Sequence, residues 1–324
     1  MPQPDSPRFL ILGTAKGYRW EQVEPFLMSW RATCPHASLV LLIDETSSPE
    51  FRKRLEDSGA GYFLLPRLWT ERSRLIRRIL LSFHAAPLHR WLANRIGDPL
   101  KAAPNDILKW RRLAAEFHHI GCSRFFSYLA YLEAHSQEFS HVLLTDVRDV
   151  IFQADPFAHA PAAGLVLALE TQGATLLAQT TNSRWLDYAY GRGRWMAFGD
   201  RRVSCAGTTL GTAPAIREYL TRMSAEIIRL TPRLVGQDGL DQGVHNFLLN
   251  MGQLPPSRLS ENGHGTFATL HGEDPARFRR DDRLRLLNDD GSVIPVVHQF
   301  DRHPVLTADL IRSLSDQLPR AVGD

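Results

Sequence analysis

Phe9-Leu-Ile-Leu12-Gly13-Thr-Ala-Lys-Gly17 is the first of three apolar runs that decide the fold class of this 324-residue chain. Ser38-Leu-Val-Leu-Leu-Ile43 follows, closed by Asp44, and then Gly61-Tyr-Phe-Leu-Leu65, closed by Pro66. Between them, Trp20 to Trp30 carries Val23, Phe26, Leu27 and Trp30 at helical spacing, and Phe51 to Ser58 reads as a short charged helix. A strand wetted on one face alternates apolar and polar residues. These strands do not, so the pattern predicts an α/β fold with a parallel sheet covered by helices on both faces. A half-fold of this order binds mononucleotides beyond the carboxyl ends of its strands.

The most informative passage lies further on, at His141-Val-Leu-Leu-Thr-Asp146-Val-Arg-Asp149-Val-Ile-Phe-Gln-Ala-Asp155-Pro-Phe157. A buried apolar run stops at two aspartates and then resumes. An unpaired buried carboxylate costs several kcal/mol, so two together need a cationic partner. Arg148 can neutralise one of the pair, and a hard divalent cation with oxygen ligands is the natural candidate for the second. The bland alternative is a strand-end salt bridge. Before this strand, Gly121 to Phe139 reads as a helix opened by Arg124, where the helix dipole disfavours a cation. After it come a strand at Leu165 to Leu169, an amphipathic helix over Ile216 to Leu230 and a strand at Val293 to Val297.

Composition is that of an ordinary globule, 44% hydrophobic and 23% charged, and the formal charge of +3 does not by itself point to nucleic acid. No apolar stretch approaches the roughly 20 residues that span a bilayer, and the start has no secretory pattern. The three cysteines, Cys34, Cys122 and Cys205, lack metal-ligand spacing and read as reduced packing residues in a cytoplasmic protein. Residues 70–117 form a basic helical insertion with interleaved aromatics, read either as a solvated face over a packed one or as a surface for an anionic acceptor or membrane. Residues 254–324 form a loop-rich tail, within which Gly263, Gly265 and Gly272 would permit hinging of a lid over Leu254 to Asp290. The expected organisation is one catalytic domain over 1–324.

Four features occur in a fixed order: the acidic turn, Ser204-Cys-Ala-Gly207-Thr-Thr-Leu-Gly211, Asp241-Gln242-Gly-Val-His-Asn246, and Val297-His298-Gln-Phe-Asp-Arg302-His303-Pro304. That succession resembles GT-A type glycosyltransferases, most closely the metal-dependent retaining class that includes glycogenin and lipopolysaccharide galactosyltransferases. The resemblance implies a Rossmann-like, mixed but mostly parallel sheet, and a nucleoside-diphosphate sugar donor, expected to be a UDP-sugar. It also implies Mn²⁺ or Mg²⁺, held by Asp146, Asp149 and His298. The acidic turn is D-x-x-D rather than D-x-D, and two registers stay open: one puts Asp146 first with Arg148 displacing the second acid, the other makes Asp149 the second acid.

The resemblance implies further roles. Asp241 and Gln242 would meet the sugar near its anomeric carbon, braced by Asn246. Arg124 would reach the donor, and Gly207 and Gly211 would let the backbone approach it or turn. Arg302 or His303 would neutralise phosphate in place of the family's lysine. Thr14, Ala15 and Lys16 would border the base and ribose. Asp44 would hold base or ribose, or serve only the turn before Ser47. Asp238 is a helix cap or, for an inverting enzyme, the first suspect as base.

The expected activity is a divalent-metal-dependent glycosyltransferase, with retention favoured by the class it resembles. The acceptor would be a glycan or lipid-linked glycan, the setting cytoplasmic or membrane-peripheral, and no nucleic acid is expected as partner. The rivals are a sugar-nucleotide pyrophosphorylase or hydrolase, a non-catalytic nucleotide-sugar or glycan binder of the same fold, and a nucleic-acid-binding module using the Arg-rich section.

Overall fold

The computed structural model describes residues 8–65, 118–135, 138–234 and 239–317. The basic insertion expected at 70–117 and Asp238 lie outside the described residues. Three strands, β1 (Phe9–Thr14), β2 (Ser38–Ile43) and β3 (Gly61–Leu64), alternate with helices α1 (Trp20–Thr33) and α2 (Pro49–Asp57), as the apolar runs predict. Ser48 caps α2 by accepting from the Phe51 amide at 3.0 Å. Then follow α3 (Ile120–Ala134), β4 (His141–Thr145), β5 (Val150–Phe152), β6 (Leu165–Leu169), α4 (Thr180–Tyr190) and β7 (Ser204–Thr212). The chain continues through α5 (Ala213–Leu234), α6 (Leu240–Asn250), β8 (Ser257–Ser260), β9 (Phe267–Thr269), β10 (Val296–His298) and α7 (Pro304–Gln317).

The main sheet has the order β3-β2-β1-β4-β7-β6-β8. Strands β3, β2, β1 and β4 pair in parallel, β7 runs against both β4 and β6, and β8 is parallel to β6. Only β7 is reversed, so β1, β2, β4 and β6 all end at one edge of the sheet. The fold is therefore α/β, with a mixed, mostly parallel sheet.

Alternation along the strands divides the core. Leu10, Leu12, Leu42, Val142, Leu144 and Leu167 pack on the side of α3, α4, α5 and α6. Ile11, Leu41, Ile43, Leu143 and Val166 face α1, α2, β5, β9 and β10 instead. Burial on both faces is why the strands read as continuous apolar runs. A second sheet, β5-β10-β9, packs beneath α7 through Ile151, Val297, Leu306, Leu310 and Leu314.

Among the boundaries that differ from expectation, two stand out. The helix opened by Gly121 stops at Ala134, and the late strand begins at Val296 rather than Val293. Pro295 has no N–H for a ladder, so it stays outside the strand and offers only its carbonyl, to Gln153 N at 2.8 Å. Leu254 to Asp290 carries β8, β9 and turns with tied side chains: Asn262 exchanges hydrogen bonds with Thr269, and Asn288 with Gly265.

Helix α6 is clamped to β7 by buried polar groups. Asn246 accepts from Ser204 N at 2.9 Å and donates to Ser204 O at 2.8 Å and Gln242 O at 2.9 Å. Beside it, His245 joins Tyr219 Oη and Ser204 Oγ, each at 2.9 Å. Burial, with the Arg124 charge adding to it, lowers His245 from 6.5 to about 3. The unfolded chain therefore binds a proton below 6.5 that the folded chain refuses until about 3. Stability should be complete above that window and fall with pH inside it, by up to about 1.4 kcal/mol per pH unit. Urea unfolding across the window should show this slope in the wild type and a shallower one in His245→Asn; equal slopes would remove His245 as its source.

Candidate metal centre

Asp146 leaves β4 at its carboxyl end, and its amide donates to Gly207 O across the sheet at 2.8 Å. Val147 next to it is buried, its Cγ2 lying over Gly13, where an added Cβ would come within 2.5 Å. This anchor turns the chain so that Asp149 returns to the same place before β5 begins. His298 arrives from the other end of the sequence because β10 pairs antiparallel with β5, placing His298 opposite Val150. Gln299 adopts a left-handed φ of 59° and donates its amide to Asp149 O at 2.7 Å. A non-glycine residue seldom takes that conformation, and here it ties the acidic turn to the late strand.

One ligand atom each from Asp146, Asp149 and His298 lies within 4.8 Å of the other two. Nε2 of His298 is 3.3 Å from Asp146 Oδ2 and 3.9 Å from Asp149 Oδ1. It is buried and makes no well-formed hydrogen bond. Nδ1 of the same ring contacts Cys205 Sγ at 3.5 Å. A cation about 2.0–2.2 Å from each ligand draws ligand atoms to separations of this order. Gly207 completes the cradle: a Cβ there would stand 2.5 Å from His298 Cε1 and 2.6 Å from Asp146 Oδ2. Two carboxylates and an imidazole placed in this way could hold a metal ion.

Protein cations also face these acids. Arg124 sits in α3 and is almost fully buried. Its Nη1 pairs with Asp146 Oδ1, and its Nη2 reaches Asp241 Oδ2 at 2.9 Å and Ala206 O at 3.3 Å. Burial alone would raise the Asp146 carboxyl, but Arg124 and then His298 override it and bring the group down to about 2. Burial pushes Asp149 the other way, upward. Burial also opposes the charged form of His298, yet the Cys205 sulfur and the Asp146 carboxylate raise it well above its ordinary value.

The other sequence candidates divide. Asp241 lies in the first turn of α6 and joins the cluster through Arg124. Gln242 donates to Glu170 Oε1 at 2.7 Å and Asn182 Oδ1 at 3.0 Å. Arg302 is 3.6 Å from Asp149 Oδ2 and is also paired with Asp301. Arg148, read as a neutraliser of the acidic pair, instead points its guanidinium to Asp301 at 4.0 Å, and Arg124 and His298 take its place beside Asp146. His303 bonds the Leu270 carbonyl at 2.9 Å, outside the cluster. Neither glycine of the Ser204 segment makes a turn, since both lie within β7. Gly211 is at the far end, where a Cβ would meet Leu165 and the Gly164 carbonyl.

Around the first two strands, Thr14 and Ala15 are buried and Lys16 is exposed. Asp44 closes its own turn, accepting from Thr46 N at 3.0 Å and from the Thr46 hydroxyl. Sequence reasoning missed Glu170, a buried acid directly after β6. The signal was present, because Asp44 and Asp146 also directly follow apolar strands. No protein-family model matches this sequence, and no curated protein does.

Gly207→Ala should lower Mn²⁺ affinity at least about 10-fold, as loss of metal-site support commonly does. Gly211→Ala should lose stability but keep the affinity. The spin-resonance signal of free Mn²⁺ distinguishes the two, and equal affinities in both variants would place the metal elsewhere.

Proposed function

We propose that this chain is a GT-A type glycosyltransferase that uses a divalent cation and a nucleoside-diphosphate sugar, a UDP-sugar in the first instance. One observation carries the reading: Asp146, Asp149 and His298, far apart in sequence, meet in a group of metal-ligand type at the carboxyl edge of a mostly parallel sheet. That edge is where α/β sheets take their ligands. The ordered motifs support the same reading, because Asp241 and Gln242 come to the same edge through Arg124 and β7.

The chemistry follows from the donor bond. Cleaving a sugar–phosphate bond leaves a diphosphate whose charge must be neutralised as it departs; a bound Mn²⁺ or Mg²⁺ supplies that as a Lewis acid. Asp146, Asp149 and His298 would hold the ion. Arg124 cannot serve phosphate freely, since both faces of its fork are engaged by Asp146 and Asp241; it fixes their positions instead. Arg302, 40% exposed and paired with Asp301 and Asp149, would turn from these acids to a phosphate at this edge. Under retention, the departing phosphate takes the proton of the incoming hydroxyl while Asp241 and Gln242 stabilise the electron-poor sugar. A glycan or lipid-linked glycan is the proposed acceptor. Among the described residues no helix is long and apolar enough to cross a membrane.

A second reading is favoured by the ion pairs themselves. Arg124, His298 and Arg302 already balance Asp146 and Asp149, so the cluster is also consistent with a binder that retains the fold without turnover. Incubation with nucleotide sugars and Mn²⁺ separates the two. The enzyme should release free nucleotide only with metal, and Asp149→Ala and His298→Ala should each reduce release at least about 100-fold. Donor binding with no release from any donor, with or without a glycan acceptor, would leave the binder standing.

A further inference from the structure

Strands β6 and β7 are antiparallel neighbours, which a hairpin of about two residues can join. The chain instead uses residues 170–203 for that connection, including α4 and the turns after it. Both ends of this excursion lie at the sheet edge where β4 ends, and within it Asn182 accepts from Gln242 at 3.0 Å. Its inner side is packed. Trp195 is fully buried and donates to Asp187 Oδ1 at 2.8 Å, which pins the turns to α4. The outer side faces solvent and has a composition of its own.

Arg184, Arg192, Arg194 and Arg201 are exposed there, against one exposed acid, Asp200. Arg192 reaches Asp187 at 3.5 Å, but Arg184, Arg194 and Arg201 make no ion pair among the described residues. Surface cations elsewhere are matched on their own helix: on α5, Arg222 pairs with Glu218 and Arg229 with Glu226. A solvated helix face interleaves its charges as α5 does. This surface does not. Apolar side chains stand among its guanidiniums, with Leu177 43% exposed, Tyr188 46% and Met196 41%. Arg184 and Tyr188 lie one turn apart on one face of α4. Leu177 donates its amide to Gly199 O at 2.8 Å, and Gly199 donates to Met196 O at 3.1 Å, so the two flank one glycine. Leucine and methionine give a soluble polyanion nothing to bind. An anionic bilayer uses both kinds of group: headgroup phosphates attract the cations, and apolar side chains enter the acyl boundary.

We propose that the outer surface of residues 177–201 docks on an anionic lipid bilayer, its guanidiniums on headgroup phosphates and Leu177, Tyr188 and Met196 in the interface. The contact needs neither metal nor sugar donor, so it goes beyond the glycosyltransferase reading and does not depend on it. Docked in this way, the carboxyl edge of the sheet lies beside the membrane.

Co-sedimentation with vesicles tests it, using phosphatidylcholine alone or mixed with an equal part of phosphatidylglycerol, without Mn²⁺ or nucleotide. The wild type should bind the anionic vesicles and not the neutral ones. Arg184→Gln combined with Arg194→Gln should weaken that binding at least about 10-fold. Met196→Ser should weaken it about 5-fold. These side chains are exposed, so the thermal unfolding midpoint should stay where it is in each variant. Arg222→Gln with Arg229→Gln removes the same charge from α5 and should leave vesicle binding unchanged. A wild type that ignores anionic vesicles would overturn the proposal. Full binding by the Arg184 and Arg194 variant would overturn it too, by placing the contact on another basic surface such as 70–117. An equal loss in the α5 variant would reduce the effect to net charge, and full binding by Met196→Ser would reduce it to polyanion adsorption; either result removes this surface as a membrane contact.

Discussion

Crowded negative charge at the end of β4 is the constraint around which the rest of the site is arranged. Asp146, Asp149, Asp241 and Asp301 meet there, and two of them are buried. Left alone they would repel one another in a medium that screens poorly. Arg124 answers this from α3, one fork nitrogen on Asp146 and the other on Asp241. A cation in the early part of a helix is unfavourable toward the dipole, so local helix stability does not explain it. Its position makes sense through the acids it spans, which lie on a strand end and on a separate helix. Loss of the guanidinium would leave both buried or half-buried carboxylates uncompensated, which is costlier than never having built the pair.

Arg124 does not reach Asp149, and this asymmetry matters. Asp146 is driven down by its arginine while Asp149 is driven up by burial, so the two acids of one turn differ in their readiness to carry charge. His298 lies between them, with its remaining nitrogen against Cys205. Both acids thus face one ring nitrogen, so a single positive charge at that place would answer two carboxylates at once.

Much of this was legible in the residues. Continuous apolar runs marked the buried strands because each is covered on both faces, and β2, β4 and β6 lie where the runs lie. The acidic turn and His298 were legible as a set only through their order, since no local pattern announces that β10 will lie against β5. Arg148 was misread because adjacency in sequence was taken for adjacency in space: in a turn, consecutive side chains diverge, and its neighbours in the chain point inward while it points to Asp301. Gly207 and Gly211 look alike in sequence but answer different needs, one leaving room for His298 and Asp146, the other for Leu165. Asp44 holds the Thr46 amide in its own turn, which a short acid at a strand end commonly does.

The reversal of β7 is what converts these separate strand ends into one site. Because β7 runs against its neighbours, it enters from the ligand edge, so Ser204 to Gly207 lie among the carboxyl ends of β4 and β6 rather than at the opposite side. Its first residues then do four things within a short length. Ser204 holds Asn246 and so fixes α6, Cys205 meets His298, Ala206 receives Arg124, and Gly207 leaves space for His298 and Asp146 while bonding Asp146. A parallel strand at this position would have presented its carboxyl end here and sent these contacts to the far edge. The single antiparallel strand is therefore not an irregularity of the sheet; it is the element that joins Asp146 and His298 on one side to α6, with Asp241 and Gln242, on the other.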